Sequence, residues 1–194
     1  MSLNKDLIKQ GIINRLDIDT LVNIQNNEVI EIRLSEYSTL HTFLIRIKLY
    51  YSSIDAELIP DNFSGETIRH MGLANEDQKD LFFKTTDYLK NNNYKITFNI
   101  NNQIADINNW PNNWDNIYLV LKNDNLQLYE NNINLIIIDA ACSMFSLILC
   151  LFTIDDRKEV SSYSEGTQMT ITVNRYERNS RNRAICILHH GYKC

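Results

Sequence analysis

Residues 43–59 read FLIRIKLYYSSIDAELI. Two runs in this stretch alternate apolar with charged side chains: Ile45, Ile47 and Leu49 around Arg46 and Lys48, then Ile54, Ala56 and Leu58 around Asp55 and Glu57. A β-strand turns successive side chains to opposite faces, so a period of two predicts a half-buried strand over 43–50 and another over 54–59, which Pro60 ends. Arg46 and Lys48 belong on the outer face, as do Asp55, Glu57 and the following turn residue Asp61. Residues 28–34 (EVIEIRL) repeat the alternation. Three such segments in succession predict an antiparallel meander with one wet and one dry face.

Two more strands are expected at 94–100 (YKITFNI) and 116–122 (NIYLVLK). The loop between them is rich in Trp, Asn and Pro, and its end, Trp110-Pro111 to Trp114, is expected under the sheet. Asn is heavily used, in Asn91-Asn92-Asn93 and across 99–116, where it alternates with Ile, Trp and Tyr. That mixture predicts polar turns between strands rather than a disordered tract.

Helical spacing appears in 4–16, where Leu7, Ile8, Ile12 and Leu16 share a side, although Gly11 lowers the propensity. A short helix is expected over 64–71, with Ser64 as N-cap. The next helix is capped by Asn75, carries Glu76 and Asp77 in its first turn, and aligns Leu81, Phe82, Tyr88 and Leu89 on one face. Residues 133–154 (INLIIIDAACSMFSLILCLFTI) are the most apolar stretch and are about long enough to cross a bilayer. Asn134, Asp139, Ser143 and Ser146 interrupt it, and Asp139 alone costs about 2.5–3.5 kcal/mol near a membrane centre. Its flanks, Glu130, Asp155 and Asp156, are acidic and give no positive-inside anchor. The expectation is a buried helix near 137–154 and no membrane partner.

The net charge of −5 is unevenly spread. From Arg157 onward seven Lys/Arg stand against three acids, leaving +4 there and −9 before it. The acidic body is a poor match for phosphate; the basic end is the better one. Of four cysteines, Cys142 and Cys150 lie in the apolar run and are expected to pack as small hydrophobes. Lys5, Asp6 and Lys9 interrupt the N-terminus, so no signal peptide is expected, and the thiols imply a reducing cytoplasm without disulfides. The hydrophilic stretch 155–168 marks a domain boundary. A strand at 169–174 (MTITVN) and a basic helix from about Ser180 follow, with Gly191 suited to its C-terminal cap.

Residues 165–194 read EGTQMTITVNRYERNSRNRAICILHHGYKC. Glu165-Gly166 leads through the short strand to Arg175-Tyr176-Glu177-Arg178-Asn179; Arg181, Arg183, Cys186, His190-Gly191 and Cys194 follow. This composite resembles the entry segment of bacterial HNH endonucleases of the restriction type, in which the last Cys begins a CxxC pair. The resemblance covers about one-sixth of the chain. It implies zinc and a divalent metal (Mg or Mn) in the full-length nuclease and none in this chain, with Cys194 a metal ligand only there. It implies DNA as partner, through the full-length protein. The second Cys, the catalytic His segment and the last metal-ligand helix of that family have no counterpart here. The expectation is a truncated nuclease start with no catalytic residue and no cleavage by this chain alone.

Arg175, Arg178, Arg181 and Arg183 are DNA-phosphate candidates, with Lys193 a further one; equally, Glu165 and Glu177 could pair with some of them. Cys186, beside Ile185, Ile187 and Leu188, reads as core. His189 and His190 point about 100° apart on a helix and chelate poorly. His41 and His70 are isolated, and no GxSxG, Walker or GxGxxG motif is present. Trp110, Trp114 and Tyr118 are base-stacking candidates, against which stands simple aromatic packing beneath a loop.

The expected architecture is α+β: an antiparallel sheet of five or so strands with two to three packed helices, followed by a partial HNH lead-in of one strand plus one helix. Residues 1–155 would be a recognition or oligomerisation domain, and 156–194 a linker plus the truncated start of the nuclease domain. The functional expectation is the non-catalytic N-terminal region of a bacterial HNH endonuclease in restriction or phage defence, serving DNA targeting. Two alternatives stand beside it: a protein–protein or homodimerisation module with no DNA contact of its own, and a small membrane-associated protein using 133–154.

Overall fold

The computed structural model describes residues 3–35, 42–106, 110–124, 126 and 132–152. The expected boundary at 155–168 and the whole of 165–194 lie outside them. The elements run α1 (Lys5–Leu16), β1 (Thr20–Gln25), β2 (Val29–Leu34), β3 (Phe43–Leu49), β4 (Ser53–Pro60), α2 (Gly65–Gly72), α3 (Glu76–Asn91), β5 (Tyr94–Ile100), β6 (Gln103–Ile104), β7 (Ile117–Asp124) and α4 (Ile133–Cys150). The fold is α+β, as the strand alternation predicts. All strand pairs are antiparallel, in one sheet ordered β1-β2-β3-β4-β7-β5-β6. The sheet is wider than the five or so strands expected, because TLVNIQ at β1 and the two-residue β6 join it.

The period-two pattern fixes the register. One row of side chains crosses six strands: Ile24, Ile30, Ile47, Ala56, Leu121 and Ile96. Slipping any strand by one residue would drive this row into water and the charged row into the core. The helices cover that apolar face, α1 over β1, α3 over β5, and α4 between them against β3 and β4.

From Ala140 to Phe152 α4 and its last turn are buried at every position, which accounts for the most apolar stretch of the sequence. By length and composition α4 is able to cross a membrane, yet 78% of it is buried inside the fold. Fully burying one Leu, Ile or Phe is worth about 1.5–3 kcal/mol, so a helix of this kind dominates the core. Its polar interruptions are satisfied. Asp139 pairs with Arg15 of α1. The Ser146 hydroxyl donates to the Cys142 carbonyl at 2.7 Å. Asn134 Oδ1 accepts from the Asn4 backbone N–H at 2.9 Å.

Gly11 now has a reason. A Cβ there would lie 2.4 Å from Ile138 Cδ1, so the missing side chain lets α1 lie close against α4. The helix termini behave as read from sequence at Asn75, whose side chain accepts from Gln78 N while Gln78 Oε1 accepts from Asn75 N. Ser64 differs: it precedes α2, but its hydroxyl donates to the Asp61 carbonyl instead of capping the helix.

The Asn surplus is explained by backbone geometry. Among the described residues, five of the six non-glycine residues with positive φ are Asn: Asn26 (52°), Asn27 (55°), Asn93 (67°), Asn101 (51°) and Asn102 (64°). Asn tolerates this left-handed conformation because its short amide bonds locally. Asn26-Asn27 turns β1 into β2, and Asn101-Asn102 turns β5 into β6. In a chain with few glycines, Asn takes the turn positions.

Two outcomes follow. Asn102→Val should lower the unfolding free energy by about 1–2 kcal/mol, the cost of a branched side chain in the left-handed region, while Asn102→Gly should leave it nearly unchanged. Gly11→Leu should cost about 1–3 kcal/mol through overpacking against Ile138. Urea denaturation followed by far-UV circular dichroism measures both.

Candidate functional site

The helices occupy one face of the sheet; the other carries the outward half of every alternating strand. Two cross-strand rows there are polar. One runs Asn23, Glu31, Arg46, Glu57, Val120, Thr97, and the next runs Gln25, Val29, Lys48, Asp55, Lys122, Lys95. Opposite charges therefore stand side by side, and they pair. Arg46 meets Glu31 at 3.0 Å and Lys48 meets Glu57 at 3.2 Å. Arg33 grips Asp61 with two nitrogens, each at 2.8 Å. Lys95 and Lys122 share Asp124 at 2.6 and 3.5 Å. The Lys95 hydrogen bond, foremost, holds the Asp124 carboxyl below its usual range.

Every strand-borne Lys and Arg of this face is thus committed to a carboxylate. Phosphate binding draws on cations that are free to release counterions, and this face offers none among the described residues. Asp55 differs from its neighbours. Its Oδ1 is buried without a hydrogen-bond partner in the structure. Desolvation pushes its carboxyl up, with Lys122 and Lys48 pulling the other way. Towards the far end of the strands the face turns apolar: Leu21, Leu44 and Ile59 lie in one row with Arg33 between them, and Tyr118, Asn99 and Ile104 form the corresponding row on β7, β5 and β6. Tyr118 is 46% exposed and Leu44 5%.

The three base-stacking candidates are not brought together. Tyr118 points outward from β7, whereas Trp110 and Trp114 lie on the helix side. There they join Phe82 and Phe83 of α3 and Phe98 of β5, with ring centroids 4.8–5.9 Å apart. Trp114 is wholly buried and donates its indole N–H to the Pro111 carbonyl at 2.9 Å. It offers no ring face to a base. Trp110 is half-buried, with the Lys79 ammonium 5.8 Å from its ring. The loop is a plug under the sheet, as the sequence suggested for 110–114. Gly72, at the end of α2, makes room for it, since a Cβ there would lie 2.8 Å from the Trp114 ring.

Arg175, Arg178, Arg181, Arg183, Lys193 and Cys194 lie outside the described residues, as does His41. Cys194 would supply one thiolate where a structural zinc takes four ligands. Among the described residues no group of three or more His, Cys, Asp and Glu is placed to hold a metal ion. His70 stacks on Phe152, ring centroids 5.7 Å apart. Cys142 and Cys150 are buried thiols without a disulfide between them; the Cys150 thiol donates to the Ser146 carbonyl at 3.1 Å. Burial pushes the Cys142 thiol up to about 12 against the pull of Arg15.

Sequence reasoning missed the pairing of Arg33 with Asp61 and of Arg15 with Asp139. No local signal could have found either, since the partners meet only after the sheet and the helix layer form. Comparison with family models, with curated proteins and with solved structures finds no match for this chain.

Gly72→Ala should displace the Trp114 ring, lowering stability by about 1–3 kcal/mol and shifting the tryptophan emission to the red. The Cys142 thiol gives a pH signature. Unfolded, it ionises near ~8.5; folded, near 12. Between those values the unfolded chain has lost a proton that the folded one keeps. Its stabilising contribution is therefore full below the unfolded value and falls as pH rises, by up to ~1.4 kcal/mol per pH unit. Urea titrations of wild type and Cys142→Ala across this window should show the steeper decline in wild type.

Proposed function

We propose that this chain is the non-catalytic N-terminal region of a bacterial HNH-type DNA endonuclease of restriction or phage defence, in which the α+β body assembles or positions the enzyme and the basic segment after residue 156 holds DNA. The observation that carries the reading is the composite motif at 165–194: Glu165-Gly166, the Arg175–Asn179 run, Arg181, Arg183, His190-Gly191 and Cys194. Zinc and a catalytic Mg or Mn belong to the complete nuclease in this reading.

Between DNA targeting and protein assembly, the open sheet face favours assembly. Its cations are already neutralised at 2.6–3.5 Å by strand or turn carboxylates, and the charge before residue 157 is −9. A neutral face of interleaved charges with an apolar margin suits a protein surface better than a polyanion. Arg175, Arg178, Arg181 and Arg183, with Lys193, would supply the phosphate contacts.

The test uses the whole chain. Purified 1–194 should leave supercoiled plasmid intact with added magnesium or manganese. It should bind duplex DNA with an affinity that falls steeply with salt. Replacing Arg178, Arg181 and Arg183 by Gln should weaken binding and lower the log–log salt slope by about 1 per contact removed. Arg46→Gln and Lys48→Gln should leave both unchanged. Nicking above a mock preparation, or a salt slope that depends on Arg46 and Lys48 instead, would overturn the assignment.

A further inference from the structure

Among the described residues the sheet has two edges, and they differ. At one end the two-residue β6 covers only Asn99 and Ile100, and the rest of the β5 edge carries Lys95, a charge that discourages pairing. At the other, β1 runs for six residues, TLVNIQ, with no charge and no proline.

The hydrogen-bond parity of β1 follows from its neighbours. Ser35 N donates to the Asp19 carbonyl at 3.2 Å, and Leu49 N to the Glu28 carbonyl at 2.8 Å. With the β1–β2 and β2–β3 registers, this places Leu21, Asn23 and Gln25 in the ladder to β2. Thr20, Val22 and Ile24 therefore aim their backbone groups at the free edge. Thr20 N–H is taken by Asp19 Oδ1 at 2.9 Å. No described residue pairs with the backbone of Val22 or Ile24 on that side.

We propose that this edge is a homodimer interface, occupied by β1 of a second copy running antiparallel about a two-fold axis. The register that keeps parity sets Val22 opposite the partner's Val22, Thr20 opposite the partner's Ile24, and Leu21 opposite the partner's Asn23. In that register the buried side chains of both strands, Thr20 and Val22, stay on the helix side, so the pleat continues across the axis. Two-fold pairing of a charged strand would set like charges against each other, whereas 20–25 brings none. The product is a sheet whose remaining edges, β6 with the part of β5 that it leaves uncovered, lie at its two far ends. This deepens the assembly role above, but it stands on the strand edge and not on the nuclease resemblance, so the two fail separately: self-association is read here without DNA.

Sedimentation velocity of the full chain over a concentration series should show a monomer–dimer equilibrium. Ile24→Pro removes only an N–H that faces the free edge, so it should weaken dimerisation about tenfold or more with an unchanged circular dichroism spectrum. Leu21 and Asn23 face each other across the axis at a non-hydrogen-bonded site, with Cα atoms about 4.5 Å apart. The Leu21→Cys, Asn23→Cys double variant should therefore form an interchain disulfide that peptide mass spectrometry maps to positions 21 and 23. If Ile24→Pro fails to fold, the cross-link decides. A monomer at every concentration, or a dimer with no 21–23 cross-link, overturns the proposal.

Discussion

An α-helix that is apolar on almost every side is kept from water only by being surrounded, and α4 imposes that requirement on the rest of the chain. The sheet closes one side of it. The two flanking helices close two more, α1 coming near enough because Gly11 has no side chain to meet Ile138. The breadth of the sheet is part of the same requirement: α4 lies over β3 and β4, and strands are needed on both sides to support α1 and α3. Where α4 does carry polar groups, each is answered locally or by a neighbour, Ser146 within its own helix and Asp139 by Arg15. Without its bond the buried Ser146 hydroxyl would subtract about 1–3 kcal/mol.

The two faces of the sheet solve opposite problems. On the covered face, matched aliphatic rows exclude water. On the open face, alternate positions carry charges of both signs in adjacent strands, so ion pairs form across the ladder instead of towards a ligand. Exposed pairs of this kind add little to stability, typically below about 1 kcal/mol each. Their effect is on recognition: a surface whose cations are occupied has little pull on a polyanion, and one without excess charge does not repel its own kind.

Much of this was legible in advance. Strict alternation in 28–34, 43–50 and 54–59 carries strand identity and facing in a single signal, and the capping box at Asn75 fixes a helix start. β1 has a weaker signal, because only Val22 to Gln25 alternate, Thr20 and Leu21 reverse the pattern, and the polar positions are Asn and Gln rather than charged residues. The Asn26-Asn27 pair beside it is the hairpin signal that could have found it. Of the two readings open for Trp110 and Trp114, the structure shows aromatic packing beneath the loop. Their separation from Tyr118 follows from pleat parity: Tyr118 alternates with Ile117 and Leu119, which face the core. The long-range ion pairs had no sequence signature, since pairing of Arg33 with Asp61 is a property of the assembled sheet.

α1 is buried by α4, the last helix among the described residues. Ile8, Ile12 and Leu16 find their full cover only once α4 has been made, more than a hundred residues later. During synthesis α1 thus has β1 to lie on but not yet α4, and β4 has to wait for β7 in the same way. Such a chain closes late and all together. Until α4 is made, the apolar stripe of α1 has only part of its cover.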